Sequence, residues 1–177
     1  MRNAVSSSNN KVLGMNESNL THLDDQGAAQ MVHIGDKPIS RRSAVAEAIC
    51  VMQSKTSHAI RNQAGPKGEV LQVVRVAAIQ AAKRTDELIP LCHSVPMDSV
   101  SVEFEWLDDF RLRIRVTSIA TGKTGVEMEA LVGASVAGLV VYDMCKAIDR
   151  SMSIEKVELV SKTGGRRGDY HRPEGRE

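Results

Sequence analysis

Two side chains that can trade protons, Asp143 and Lys146, stand three residues apart in YDMCKAIDR. On a helix that spacing puts them on one face. An exposed pair of this kind is ordinarily a solvated ion pair. Here the run before it, ALVGASVAGLVV, carries no charge, which points to a pair lining a cleft. A lysine partly removed from water titrates nearer neutrality and can serve as acid or base. Glu127 and Glu129, just after Gly125, form a second pair. They fit acids favoured at a helix N-terminus, and equally carboxylates that orient cations or accept a proton. Spacing leaves both readings open.

Other candidates are weaker. His93 lies in ELIPLCHSVP, on a loop stiffened by Pro90 and Pro96. A lone histidine is more often structural than catalytic. Its neighbour Cys92 does not make a metal pair, because adjacent side chains of an extended segment point apart. Lys67 in GPKG is a generic anion cradle. Lys83 and Arg84 close a helix and read as solvated. Lys162 precedes TGGRR, a cation and glycine cluster that suits phosphate and equally suits a frayed basic tail.

The elements that position these groups follow from composition and pattern. The 177 residues suit one domain. Lys plus Arg number 23 and Asp plus Glu 22, which argues against a surface built to blanket phosphate backbones. Aromatics are only 3%, so packing rests on small side chains and a base-stacking surface is not expected. The three cysteines, Cys50, Cys92 and Cys145, form no C-x-x-C pair and fit a reducing compartment. The uncharged residues 130–141 are shorter than the roughly 20 needed to span a membrane. The first residues lack a secretory h-region. Their serine content and scarcity of acids leave a short organelle transit peptide open beside the expected disordered arm and cytoplasmic location.

Ser40 reads as an N-cap, with Ala44, Val45, Ala48, Ile49 and Met52 predicting a helix from about Arg41 to Ile60. A loop at RNQAGPKGE leads to a second helix with Val70, Leu71, Val74, Ala77, Ala78 and Ala81 on its buried face. SVSVEFEW and FRLRIRVTS alternate and predict an antiparallel hairpin turning at Leu107-Asp108-Asp109. Placing Glu105 opposite Arg111 also pairs Glu103 with Arg113 and Phe104 with Leu112. The arginine row therefore reads as cross-strand ion pairing. A long helix follows from Glu127 to near Asp149-Arg150, apolar nearly all round at first, which calls for cover from a second subunit. IEKVELVSK reads as another strand. The fold class is α+β, a ferredoxin-like antiparallel sheet with helices packed on one face. Up to this point the residues define a domain and not a reaction.

The strings KGEVLQVVRVAAIQAAKRTDELIPLCHSVP, TGVEMEALVGASVAGLVVYDMCKAIDR and SKTGGRRGDY resemble the signature segments of the MoaC family, and MVHIGDKPISRRSAVAEA looks like its opening segment. The resemblance runs over residues 31–170 and implies a flexible arm at 1–29, one catalytic domain at 30–170 and a flexible tail at 171–177. It implies a lyase of molybdenum cofactor biosynthesis. That enzyme converts 3′,8-cyclo-7,8-dihydro-GTP to cyclic pyranopterin monophosphate with release of pyrophosphate. It also implies a homo-oligomer, a hexamer built from dimers, with active sites at subunit interfaces. No cofactor is required, magnesium being compatible with the triphosphate, and neither nucleic acid nor membrane is a partner. By the family's motifs the catalytic residues are Lys67, Asp143 and Lys146. Those that bind substrate are Arg42 (Arg41 being adjacent), His93, Glu127, Glu129 and Lys162. Lys146 is expected to be the central acid/base, oriented by Asp143, with Lys67, Arg42 and Lys162 stabilising the departing phosphates.

This chain departs from the family's pattern at His33, Ser94 and Lys162-Thr163-Gly164-Gly165-Arg166-Arg167, and none of these removes an assigned catalytic residue. The competing reading is a non-catalytic RNA-binding module of the same fold, which would need aromatics on the polar sheet face. An inactive scaffold subunit and a metal-dependent phosphohydrolase fit the residues less well.

Overall fold

The structure is a computed structural model and describes residues 22–24, 26–63, 69–166 and 168–173. The chain divides into two units, residues 1–32 and 33–177. In the first, Leu23 and Ala29 form an antiparallel bridge. The Asp24 carboxylate closes its turn by accepting the backbone N–H groups of Gln26 and Ala28 at 2.9 and 2.8 Å.

In the second unit, β1 (Ser40–Val51) is followed by α1 (Ser54–Arg61), α2 (Val70–Ala82) and the single turn α3 (Thr85–Leu88). Then come β2 (Ser99–Trp106), β3 (Arg111–Gly122), α4 (Glu127–Cys145), β4 (Ser153–Thr163) and the short β5 (Tyr170–His171). The strands form one antiparallel sheet in the order β2-β3-β1-β4-β5. Without β5 this is the ferredoxin-like arrangement, two β-α-β units interleaved so that β1 and β3 lie in the middle. Helices α2 and α4 pack together on one side of the sheet.

The expected helix over residues 41–60 is a strand followed by a short helix. Apolar residues at 44, 45, 48, 49 and 52 fit a helical period, but burial follows a period of two. Arg42, Ala44, Ala46, Ala48 and Cys50 form the inner row of β1 and are all buried. Glu47, on the other row, is buried as well. The outer row also carries Val45, Ile49 and Val51, half-buried, so both rows are largely apolar and hydrophobic spacing alone misreads the strand.

The hairpin forms as expected, but its register differs by two residues. Glu105 pairs with Arg113, Glu103 with Arg115 and Phe104 with Ile114. The cause is the turn. The Asp108 carboxylate accepts the backbone N–H groups of Phe110 and Arg111, both at 2.8 Å, and the Leu107 N–H donates to Arg111 O at 3.0 Å. Phe110 therefore belongs to the loop rather than to the strand. Charge complementarity survives because a shift of two keeps every side chain on its face.

Small residues let α4 sit deep. A Cβ on Gly133 would lie 3.1 Å from Val116 Cγ1 and 3.3 Å from Ala78 O, and one on Gly138 would lie 2.8 Å from Ile154 Cδ1. Helix α4 is long and apolar enough to cross a membrane by composition, yet more than half of it is buried inside this fold. It ends at Cys145, earlier than Asp149-Arg150, because the next residues close a turn: Ile148 and Asp149 both donate their N–H to Cys145 O. Some apolar groups of this layer stay outside, among them Leu139 of α4 at 60% exposed and Val76 of α2 at 64%.

Candidate active site

Strand β1 places Arg42 on its inner row, and β4 runs beside it with Ala44 opposite Lys162 and Ser43 opposite Thr163. Beyond Thr163 the chain turns over Arg42 through Gly164 and Gly165, at φ +86° and +97°. Both glycines are required sterically. A Cβ on Gly164 would meet Arg41 O at 2.4 Å, and one on Gly165 would meet Arg42 Nη1 at 1.9 Å. The Arg42 guanidinium thus lies under a roof of bare backbone, 7% exposed. Among the described residues its Nε donor finds no acceptor. A buried arginine with an unmet donor is suited to an incoming anion.

The N-terminal end of α4 faces the same place. Lys162 Nζ bonds Glu127 Oε1 at 2.8 Å, each side chain about a quarter exposed. Two residues on, Glu129 is 4% exposed. Burial pushes its carboxyl up to about 7, against a hydrogen bond from its own backbone, with help from the charges of Glu127 and Asp86. A carboxyl poised there can give or take a proton near neutral pH.

The same charges reach the loop after α3. The Cys92 thiol is pushed up by burial and then by Glu129 and Asp86, which brings this loop to the Glu129 end of α4. His93, next along the loop, is half-buried. Asp86 and Cys92 are neighbours of the site that residue spacing did not single out. The only signal was their place on either side of ELIPL, before His93.

Asp143 and Lys146 sit at the other end of α4. Their ion pair is 2.6 Å long, and both side chains are more than half exposed. The expectation of a cleft-lining pair is therefore not met within one chain. From Glu127 to Asp143 is 16 residues, or about 24 Å along the axis and about 160° around it. Lys67 lies outside the described residues. The structure thus gathers Arg42, Glu127 and Lys162 at one end of α4, with Glu129 at the same end toward Asp86 and Cys92, and keeps Asp143 and Lys146 at the other end.

The departures at His33 and Ser94 fall on the surface. His33 is exposed and pairs with Asp36 at 3.6 Å. Ser94 is exposed. The opening segment is held by Lys123, whose Nζ donates to Gly35 O at 2.5 Å.

The sheet face away from the helices is ionic. Arg113 pairs with Glu105 at 2.9 Å and with Glu47 at 3.5 Å, and Arg115 pairs with Glu47 at 3.1 Å. The ion-pairing reading of the arginine row holds, with Glu47 of β1 as a partner the hairpin pattern did not reveal. Phe104 and Trp106 lie on the inner row, opposite Ile114 and Leu112. Arg75 and Arg61 cover their rings at 5.0 and 4.5 Å. The aromatics that RNA stacking needs are thus turned inward and engaged.

Fold and site together define a small α+β protein of ferredoxin-like topology, with charged groups gathered at the two ends of one core helix. The MoaC family model matches residues 31–165. The cyclic pyranopterin monophosphate synthase of Herpetosiphon aurantiacus is 54% identical over 155 residues, 87% of this chain and 94% of its own length. The enzyme of the same name from Chloroflexus aurantiacus is 51% identical over 155 residues, 87% and 95% of the two chains. Cyclic pyranopterin monophosphate synthase 1 of Mycobacterium bovis is 48% identical over 153 residues, 86% and 90%. The chain belongs to the MoaC family.

Proposed function

We infer that this protein is a cyclic pyranopterin monophosphate synthase, a lyase of molybdenum cofactor biosynthesis. It converts 3′,8-cyclo-7,8-dihydro-GTP to cyclic pyranopterin monophosphate and releases pyrophosphate. The observation that carries the reading, within a chain of this family, is Arg42 under its glycine roof beside the Lys162–Glu127 pair and the near-neutral Glu129. Departure of pyrophosphate develops negative charge, which Arg42 and Lys162, with Lys67, stabilise electrostatically. Rebuilding the purine-derived ring needs proton transfers. Lys146 is the central acid/base, held by Asp143, and Glu129 is a second group able to move a proton. Glu127 and His93 position the substrate. No resident cofactor enters this scheme, and magnesium comes as a companion of the triphosphate.

The site is shared between subunits in this reading. Arg42 and Lys146 of one chain lie at opposite ends of α4, too far apart to hold one nucleotide-sized substrate between them. A homo-oligomer, a hexamer built as a trimer of dimers, brings Lys146 of one protomer to the Arg42 end of another and covers apolar groups such as Leu139 and Val76. The location is cytoplasmic. The test is to supply the cyclic dihydro-GTP to purified protein and to follow pyrophosphate and the pterin product. Absence of both would end the assignment. Light scattering tests the assembly, and a stable monomer with full turnover would overturn the shared site.

A further inference from the structure

Asp149 is a buried carboxylate that none of these proton transfers uses. It is 2% exposed and lies in the turn that follows α4. Its Oδ2 accepts the Gln53 backbone N–H at 2.8 Å and the Thr56 hydroxyl at 3.3 Å. Its Oδ1 accepts the Ser151 N–H at 2.9 Å, the Ser151 hydroxyl at 2.6 Å and Gln53 Nε2 at 3.2 Å. Burial works to raise this carboxyl, and the hydrogen bonds from Ser151, Gln53 and Thr56 outweigh it and hold it below the ordinary range. The group is therefore anionic, and its donors come from two parts of the fold. Gln53, the N-cap of α1, makes no capping bond with its own side chain. Asp149 instead accepts the backbone N–H of Gln53 itself, from 96 residues away.

The same contacts fix the segment that carries Lys146. Lys146 is the C-cap of α4, where backbone carbonyls run out of partners and helices fray. Its N–H donates to Tyr142 O at 2.8 Å, and Ile148 and Asp149 fold back onto Cys145 O at 2.8 and 3.0 Å. Asp149, three residues on, is where this turn is pinned to the β1–α1 link. The Tyr142 hydroxyl adds a second tie, to Arg150 O at 3.4 Å. The Lys146 side chain is exposed and is tied on its own chain to Asp143, at 2.6 Å, on the last turn of the same helix.

We propose that Asp149 is a positioning residue for the reaction: by clamping the turn after α4 to the start of α1, it holds the backbone that presents Lys146. This rests on the reading of Lys146 as acid/base. A role limited to holding the start of α1 would lower stability alone, whereas misplacement of a proton-transfer group lowers turnover. The comparison is between Asp149→Asn and Ser57→Ala. Ser57 donates to Asp109 O at 2.6 Å and to Ser54 O at 2.9 Å, so its loss loosens α1 without touching the turn.

Both variants are assayed as the assembled protein, well below their melting temperatures. Asp149→Asn is expected to lower kcat about tenfold with KM nearly unchanged. It is also expected to speed amide hydrogen exchange at Lys146 to Ile148. Ser57→Ala is expected to melt earlier and keep kcat. Wild-type kcat in Asp149→Asn, or a parallel loss of kcat in Ser57→Ala, overturns the proposal. If Asp149→Asn does not fold, Thr56→Val, which removes one donor, must show the same split at smaller size, and wild-type kcat there overturns it. Lys146→Ala is run alongside. Full turnover in that variant removes the acid/base reading and the proposal with it. An inactive Lys146→Ala beside an unimpaired Asp149→Asn removes only the proposal.

Discussion

At its N-terminal end α4 presents Glu129, 4% exposed, and Glu127 bound to Lys162, against a strand whose Arg42 is 7% exposed under two glycines. At its C-terminal end it presents Asp143 and Lys146, bonded to each other at 2.6 Å and both more than half exposed. At the first end the described groups meet inside one chain. Its charges are desolvated and its backbone is shaped around them, so its electrostatics are already altered, as the raised Glu129 carboxyl shows. The second end is an ordinary surface ion pair until something covers it. Such pairs contribute little in water and much more where water is excluded. On the proposed reading, anion binding is prebuilt in the protomer, while proton transfer by Lys146 depends on assembly.

The largest expected effect is at the exposed end. Lys146→Ala should lower pyrophosphate release by about a hundredfold to ten-thousandfold, the range for a general acid or base. Its melting temperature should change little, because the side chain is solvated in the protomer. Mixing inactive Lys146→Ala and Arg42→Ala subunits, unfolded and reassembled together, should then restore roughly a quarter of the sites if two protomers share each one. No recovery would show that each site lies within one chain and would erase the contrast between the ends.

Next in size is the glycine roof. Gly165→Ala puts a Cβ where Arg42 Nη1 now sits, on a backbone at φ +97° that alanine adopts poorly. Turnover should fall by about a hundredfold through displaced Arg42, the scale expected for a misplaced group. A variant with normal kinetics would show that the roof is not part of the anion site.

Glu129→Gln separates stability from function at the buried end. The Glu129 carboxyl rises from 4.5 to about 7 on folding, so between those values the native state keeps a proton that the unfolded chain has lost. Its charging therefore destabilises the protein progressively as pH rises through that window, and the full penalty stands above pH 7. Glu129→Gln should match the wild type near pH 4 and be more stable above pH 7, by at most roughly 3 kcal/mol. It should also lose the part of the pH–rate profile that titrates near 7. Denaturant unfolding at pH 4 and pH 8 checks the first point, and equal stability at both would show that the carboxyl is not desolvated. The smallest effect is expected on the open sheet face. Glu105→Ala removes an exposed partner of Arg113 and should change stability by no more than about 0.5 kcal/mol.

Much of this was legible in the sequence. Helix α2, the hairpin and β4 follow from period and charge, because each has one exposed face that leaves alternation visible, and the core helix follows from its long uncharged run. Strand β1 was not legible. Its Ala-rich inner row and covered Glu47 remove the polar face that marks a strand. The hairpin register slipped by two because Asp108 recruits Phe110 into the turn, a local hydrogen-bond choice that side-chain patterning does not encode. Arg42 was named as a site residue by family resemblance, and what surrounds it was not.

The sequence by itself determined which chemical groups exist and how they lie along each element. Glu127 and Glu129 open a helix, Asp143 and Lys146 close it, and two glycines follow Lys162, because these are matters of spacing between near neighbours. Only the tertiary structure decided that Arg42 sits on a central strand beneath those glycines. It also decided that Asp86 and Glu127 join burial in raising Glu129, and that Asp149 reaches back 96 residues to the N-cap of α1. Burial and contacts between distant segments set desolvation and relative position. Neither is a property of any short stretch of chain.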